Sequence, residues 1–377
     1  MPLRALASVN LAAIARNVAR LKSELEPTGA MCAVVKADGY GHGAVQVARA
    51  ALAGGTTWLA VVSAEEAAEL RRAGLDGPIL VLGAISAQEL PVALAAGAEL
   101  VAWTERFVAD VARAAGVGGR PVRTHVKLDT GMGRLGTRDG AQARATAEAV
   151  LAAEPVLELA GAMTHFATAD GDLEFAAQQL AAFAPFAEDL RRLAPGLRVH
   201  AANSAATLRL PQSHFDLVRC GIAIYGLDPM NEDAAARGLE PALELSSYLA
   251  AVKLAQPGDS VGYGRQFIAT RETWIGTLPI GYADGIARGL SNNCDVIVAR
   301  RRYPVVGTVS MDNLTIDLGP EPIAAPGDSA LIIGSDGSER QTAEHLAHRL
   351  GTITHEIVCG ISRRVPRTYH RDGQPNE

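Results

Sequence analysis

Long apolar runs are missing from this chain. No stretch reaches the roughly 18 consecutive apolar residues that a membrane-crossing helix needs. The start, MPLRALASVNLAAIARNVARL, has apolar residues at helical spacing but interrupts them with Arg4, Arg16 and Arg20, without an apolar core and cleavage site. A soluble, cytoplasmic protein with no membrane partner is the expectation. Cysteine is also scarce. Cys32, Cys220, Cys294 and Cys359 are scattered through 377 residues with no CxxC pair and none of the density that staples small secreted domains, so a reducing compartment is expected and no metal ion is. Nor is positive charge in excess: the formal net charge is -6, which gives the whole molecule no attraction to nucleic acid or to anionic membranes. A local phosphate site stays open.

What is present is a globular composition, 48% hydrophobic and 20% charged, long enough for two or three domains at about 150 residues each. Through residue 230 or so, short apolar stretches alternate with longer Ala/Leu/Glu/Arg stretches, as strand followed by helix would. The strand candidates are MCAVVK (31–36), WLAVV (58–62), PILVL (78–82), ELVAW (99–103), VRTHVKLD (122–129), LELAGAMTH (157–165), RVHAAN (198–203) and DLVRCGIAIYG (216–226). Helix candidates lie between them at 42–53, 64–73, 86–96, 104–115, 139–153 and 172–193. Ser63 with Glu66, and Ser86 with Glu89, have the spacing of reciprocal helix caps.

Eight such units fit a closed barrel, although an open doubly wound sheet has similar local periodicity. KADGYGHG after the first strand does not place the glycines of a dinucleotide fingerprint. Polar residues recur at strand ends instead: Lys36, Lys127, Asp129, His165, Asn203 and Arg219. In a barrel those ends converge on one face. The expected fold is therefore α/β, a (β/α)8 TIM-like barrel over 1–235, followed by a mainly β domain over 236–377, where extended runs such as ETWIGTLPIGYA and DVIVARRRYPVVGTV alternate with turns. QTAEHLAHRLG (341–351) reads as a short helix within it, and the initial ALASVNL as a candidate strand for this second domain.

Several residues have two readings at this point. Lys36 is either a solvated or ion-paired head, or a sheltered amine able to form an imine. Tyr40 and His42 could line the same face or pack against the next helix. Arg134, in HVKLDTGMGRLG, is either a surface guanidinium or a clamp for a carboxylate. Ser204 is a helix cap or a phosphate contact, and Gly221 a turn or an amide donor.

AVVKADGYGHG (33–43), KLDTGMGRLG (127–136), MTHFA (163–167), ANSA (202–205), VRCGIAIYG (218–226), VGYGRQF (261–267), PIGYADG (279–285), GTVSMDN (307–313) and GTITHEIVCGISRRVPRTY (351–369) together resemble bacterial alanine racemases, in consistent order over nearly the whole chain. The resemblance implies pyridoxal 5'-phosphate bound by Lys36 as an internal aldimine, and a homodimer whose active sites draw on both chains. Lys36 and Tyr263 are then the two proton-transfer groups, one on each face of a small amino-acid substrate. His165 links the tyrosine to Arg219, which faces the cofactor's pyridine nitrogen, and His200 is a candidate extension of that network. Tyr40, Ser204, Gly221, Ile222 and His355 match the phosphate positions. Arg134 matches the substrate-carboxylate contact, Tyr282 and Met311 narrow the entrance from the partner chain, and Lys127 holds the place of a lysine often carbamylated.

Two positions depart from the family pattern. His355 stands in TITHE where the family commonly has tyrosine, and Ser310 where cysteine is frequent. The shorter histidine, which titrates near 6.5 when unperturbed, motivates the expectation that serine or another amino acid is accepted beside alanine. Related barrel decarboxylases are disfavoured because GTVSMDN lacks their cysteine-containing signature. A non-catalytic pyridoxal-phosphate binding or homeostasis protein would have no need for Tyr263.

Overall fold

The computed structural model describes residues 3–116, 119–321 and 323–376. Contacts divide the chain into two units. One comprises Ile14–Gly39 and Ala44–Ile224, and the other the chain up to Ala13, Tyr40–Gly43 and everything from Tyr225 onward.

After β1 (Leu6–Asn10), which belongs to the second unit, the first unit contributes β2 (Ala30–Val34), β3 (Trp58–Val61), β4 (Ile79–Val81), β5 (Glu99–Ala102), β6 (Val122–Lys127), β7 (Leu157–Met163), β8 (Arg198–His200) and β9 (Leu217–Cys220). All pair in parallel in the order β8-β7-β6-β5-β4-β3-β2-β9. The two ends of this path meet: the Arg219 amide donates to the Ala202 carbonyl at 2.9 Å and the Asp216 amide to the Val199 carbonyl at 3.1 Å. The result is a near-closed TIM-like barrel. Strands β3, β4 and β5 are buried at every residue, and β3 and β4 read as unbroken apolar runs because both faces are covered.

The helices start where the sequence carries caps. Ser63 and Glu66 form the reciprocal box ahead of Ala64–Arg72, and Thr104, Asp139 and Asp172 each accept an amide of the helix that follows. At Ser86 only half of the expected pair forms. Its amide donates to Glu89 at 2.9 Å, but the helix begins later, at Leu90, with Pro91 in its first turn.

The second unit is built on β1, which pairs antiparallel with β10 (Leu243–Tyr248). Its further strands are β11 (Ala251–Ala255), β12 (Ser260–Val261), β13 (Phe267–Ile268), β14 (Thr273–Leu278), β15 (Asp295–Val298), β16 (Arg301–Pro304), β17 (Leu314–Gly319), β18 (Ser329–Asp336), β19 (Glu339–Gln341), β20 (Arg367–Arg371) and β21 (Gln374–Pro375). The main sheet runs β16-β15-β18-β10-β1-β20-β21, beside a sheet β11-β14-β17 and a ribbon β12-β13. Strands β10 and β17 alternate buried and half-buried residues, the pattern of a sheet with one face on a core. Among the described residues no helix is long and apolar enough to cross a membrane.

Candidate active site

Lys36 follows β2 and opens a turn of unusual backbone. Ala37, Asp38 and Gly39 take φ of 53°, 52° and 60°, a left-handed turn that costs non-glycine residues about 1–2 kcal/mol each. The surroundings hold it in place. The Ala37 amide donates to Glu66 Oε1 at 2.7 Å, the Ala44 amide to Asp38 at 3.0 Å, and the Gly39 amide to the Val35 carbonyl at 2.9 Å. Glu66 therefore joins the loop bearing Lys36 to the helix it caps, a role beyond its expected one.

Four cations meet at this end of the barrel. Arg219 is 2% exposed, and burial lowers its guanidinium to about 10. Its hydrogen bonds go to neutral acceptors: His200 Nδ1 at 2.9 Å, His165 Nδ1 at 3.1 Å, and the carbonyls of Thr164 and Ala201 at 2.8 and 3.0 Å. Burial, then the charges of Arg219, Lys127, Arg134 and Lys36, hold the His165 imidazole well below its ordinary range, so it is neutral. Burial and then Arg219 do the same to His200. Lys127, 3% exposed, is lowered to about 8 by burial and by the neighbouring Arg219 and Arg134, against the pull of Asp129. Asp129 does not neutralise the group fully, because its carboxylate is turned to the amides of Gly131 and Gly133 at 3.0–3.1 Å, and to Arg138. Burial alone would raise that carboxyl; those amides and Arg138 outweigh it and hold it low. Arg134 is exposed on the glycine-rich loop.

Across the same barrel, Asn203 caps helix Ser204–Arg209, so Ser204 is not the cap. Its hydroxyl instead accepts the Gly221 amide at 2.9 Å and the Ala223 amide at 3.4 Å, and Ile222 is buried at the start of the turn Ile222–Tyr225. The last expected strand thus ends at Cys220, not at 226.

The remaining candidates lie in the second unit. Tyr40 is buried, its ring tilted against Tyr225 at 4.9 Å and against His355 at 5.9 Å. The loop 40–43 sits on helix Thr354–Gly360: a Cβ on Gly41 (φ +80°) would stand 2.3 Å from the Val358 carbonyl oxygen. His42 packs on Tyr225 at 4.6 Å and its Nδ1 lies 2.9 Å from the Tyr40 carbonyl, so the packing reading holds for it. Tyr263, Tyr282 and Met311 come together around a hollow of about 360 Å³ with Ser310 and Asp312, and are 74, 44 and 52% exposed. The Tyr282 amide donates to the Ser310 carbonyl and the Ala283 amide to that of Met311, both at 3.0 Å. Buried Asp284 fixes these loops, accepting from the Gly281 amide at 2.9 Å and pairing with Arg4 and Arg364. Asp284 is a residue that sequence reasoning missed.

The barrel group is a net positive, half-sheltered set of donors: lysine amines, guanidinium, hydroxyl and imidazole. That chemistry fits an anionic, phosphate-bearing aldehyde such as pyridoxal phosphate. Among the described residues no group of three or more His, Cys, Asp or Glu is placed to hold a metal ion.

Residues 9–229 match the family model for the alanine racemase N-terminal domain and residues 242–369 that for the C-terminal domain. The alanine racemase of Frankia casuarinae is 42% identical over 373 residues, covering 97% of this chain and 96% of that protein. Alanine racemase 1 of Bacillus subtilis is 39% identical, covering 97% and 93%. Among solved structures, the alanine racemase of D-cycloserine-producing Streptomyces lavendulae superposes with a TM-score of 0.93 at 39% identity, covering 98% of each chain. That of Bacillus anthracis with bound L-Ala-P gives 0.91 at 37%, covering 100% of this chain and 98% of the other. With both domain models matched in order and relatives alike over their full length, the chain belongs to the alanine racemase family.

Proposed function

We propose that this protein is a pyridoxal-phosphate-dependent alanine racemase, interconverting L- and D-alanine as a homodimer. The observation that carries the reading is the neutral His165 imidazole held beside charged Arg219 at a mouth that also gathers Lys36, Lys127 and Arg134. When bound, pyridoxal phosphate supplies the conjugated system that acidifies the substrate Cα–H. Lys36 anchors it, and the Lys36 amine takes or returns the proton on one face. Tyr263 of the partner subunit serves the opposite face; return of the proton there inverts the centre. Arg219, charged at neutral pH, would face the ring nitrogen of the bound cofactor and disfavour protonation there. His165, accepting from Arg219 at Nδ1, keeps an N–H at Nε2 with which to orient the phenol.

Arg134 receives the substrate carboxylate. Lys127 supports it as a carbamate: with its amine at about 8, roughly a quarter is neutral and reactive toward carbon dioxide at pH 7.5, against about a thousandth for an ordinary lysine. Ser204, the Gly221–Ile222 backbone, Tyr40 and His355 take the phosphate. Tyr263, Tyr282 and Met311, large side chains left exposed together, supply the face that the second subunit covers and the entrance it narrows.

The reading is tested by α-hydrogen exchange in deuterated water with each alanine enantiomer. Interconversion with deuterium incorporation supports it; carbon dioxide release would mean a decarboxylase, and neither a binding protein. A second reading, turnover of serine as well, is favoured by the smaller His355 ring against Tyr40. Initial rates with both serine enantiomers decide it, and inert serine removes it.

A further inference from the structure

Polar side chains form a continuous chain through the barrel interior, beginning far from the mouth. The strand period puts Arg123, His125 and Lys127 of β6 on one face. Arg123 donates to Glu99 Oε1 at 3.0 Å and also pairs with Glu158. From there the contacts run in sequence: Glu99 Oε2 to His125 Nε2 at 2.7 Å, His125 Nδ1 to His200 Nε2 at 2.8 Å, His200 Nδ1 to Arg219 Nη1 at 2.9 Å, and Arg219 Nη2 to His165 Nδ1 at 3.1 Å. Glu99, His125, His200 and Arg219 are all buried.

The donors and acceptors allow one arrangement of protons. A guanidinium only donates, so Nδ1 of both His200 and His165 must be bare. His200 then carries its hydrogen on Nε2 and donates it to His125 Nδ1, which must accept. His125 is left with Nε2–H, which it gives to the Glu99 carboxylate. A doubly protonated His125 would present a hydrogen at Nδ1, drive the His200 hydrogen to its own Nδ1, and set it against an Arg219 N–H. Donor would face donor in the barrel core.

The barrel makes room for this chain at a cost to packing. A TIM barrel interior is ordinarily filled by branched apolar residues. Here the β6/β7 register shifts between Thr124 and His125, bringing Gly161 opposite the histidine. A Cβ on Gly161 would lie 2.1 Å from His125 Nδ1, the atom that accepts from His200. Trp58 closes the other side, edge-on at 5.9 Å.

We propose that Glu99 and His125 are positioning residues: through His200 they hold Arg219 in one orientation and His165 in its Nε2–H tautomer, the form that faces the reaction. The tautomers follow from the geometry alone, whereas their use in catalysis rests on the racemase reading above. Because the chain is fully matched, no buried donor or acceptor in it is stranded.

The test is long-range proton–nitrogen NMR of protein labelled with 15N-histidine, recorded with and without pyridoxal phosphate, for the wild type, Glu99→Gln and His125→Phe. Expected in the wild type are Nε2–H tautomers for His125, His165 and His200. In His125→Phe, His200 loses its acceptor and the His165 signal moves to a mixture of tautomers. The kcat for alanine falls about tenfold, as when an orienting partner of a functional histidine is removed, with KM little changed. Glu99→Gln keeps the shape and an acceptor oxygen, so it shifts the same signals less; it carries the test if His125→Phe does not fold. A doubly protonated wild-type His125, or a His165 tautomer and kcat unmoved in a folded variant, overturns the proposal. If the tautomers shift as stated but the wild type exchanges no alanine α-hydrogen, the positioning chain stands and the racemase reading falls.

Discussion

The two units hold their candidate residues in opposite ways. In the barrel, Lys127, His200 and Arg219 are buried, and burial first, then the charge of Arg219 on the other two, lowers their hold on protons. In the second unit Tyr263 stands 74% exposed, with its backbone carbonyl held by the Thr308 hydroxyl at 2.8 Å and its ring in solvent. One half of the proposed site is preorganised by its own fold. The other presents exposed side chains that, on the dimer reading, would acquire surroundings only against a second subunit. Substitutions in the barrel should therefore disturb chemistry and stability together, while those at Tyr263 should separate them.

The largest effect is expected at Lys36. Lys36→Ala removes both the anchor and one proton-transfer group, so alanine racemisation should fall by about 10⁴-fold or more, with loss of borohydride-trapped cofactor on the protein. Tyr263→Phe sharpens the contrast. Exchange from one alanine enantiomer should drop by about 10²–10³-fold, far more than from the other, while thermal stability stays within about 0.5 kcal/mol because the ring is outside any core. Unchanged rates in both directions would remove Tyr263 from the mechanism.

How much of this was legible in the sequence follows the same division between local and non-local. Most barrel strands announce themselves because strands buried on both faces are predominantly apolar, as in β3 and β4. Lys36 and Arg219 stand out as cations ending such runs; the chain has only four lysines, Lys22, Lys36, Lys127 and Lys253, so two at one mouth is a strong signal. The chain from Glu99 to Arg219 was not legible. Its links span 26, 75 and 19 residues, and a histidine inside HVKLD gives no sign of which imidazole it will meet. Gly161 in LELAGAMTH did carry a clue, since glycine within a strand often marks a close approach. The left-handed turn after Lys36 was hidden because Ala37 ordinarily avoids that backbone.

Gly161→Ala attacks the barrel's side of the comparison. The added methyl meets the His125 ring, and neither strand can retreat, so a loss of roughly 1–3 kcal/mol in unfolding free energy is expected by denaturant titration. Gly140→Ala, at the exposed first position of a helix with nothing within 4 Å of the new carbon, is the control and should be neutral or slightly stabilising.

The smallest expected effect tests desolvation in the barrel directly. Lys127 is lowered from 10.5 to about 8 in the fold. The unfolded chain therefore keeps this proton over a range in which the folded protein has released it, and stability must rise with pH there. The contribution is fully present above about 10.5 and is lost as pH falls through about 8. Between pH 7 and 9 it amounts to roughly 1 kcal/mol. Lys127→Met cannot titrate, so the difference in unfolding free energy between wild type and variant should change by that amount over this interval, the wild type gaining as pH rises. Added bicarbonate should flatten the wild-type gain, because a carbamate no longer exchanges the amine proton. Parallel curves for wild type and variant, in buffer purged of carbon dioxide, would mean that Lys127 is hydrated in the free chain. The contrast between a barrel that sets its own protonation and a β unit that awaits a partner would then fail at its central residue.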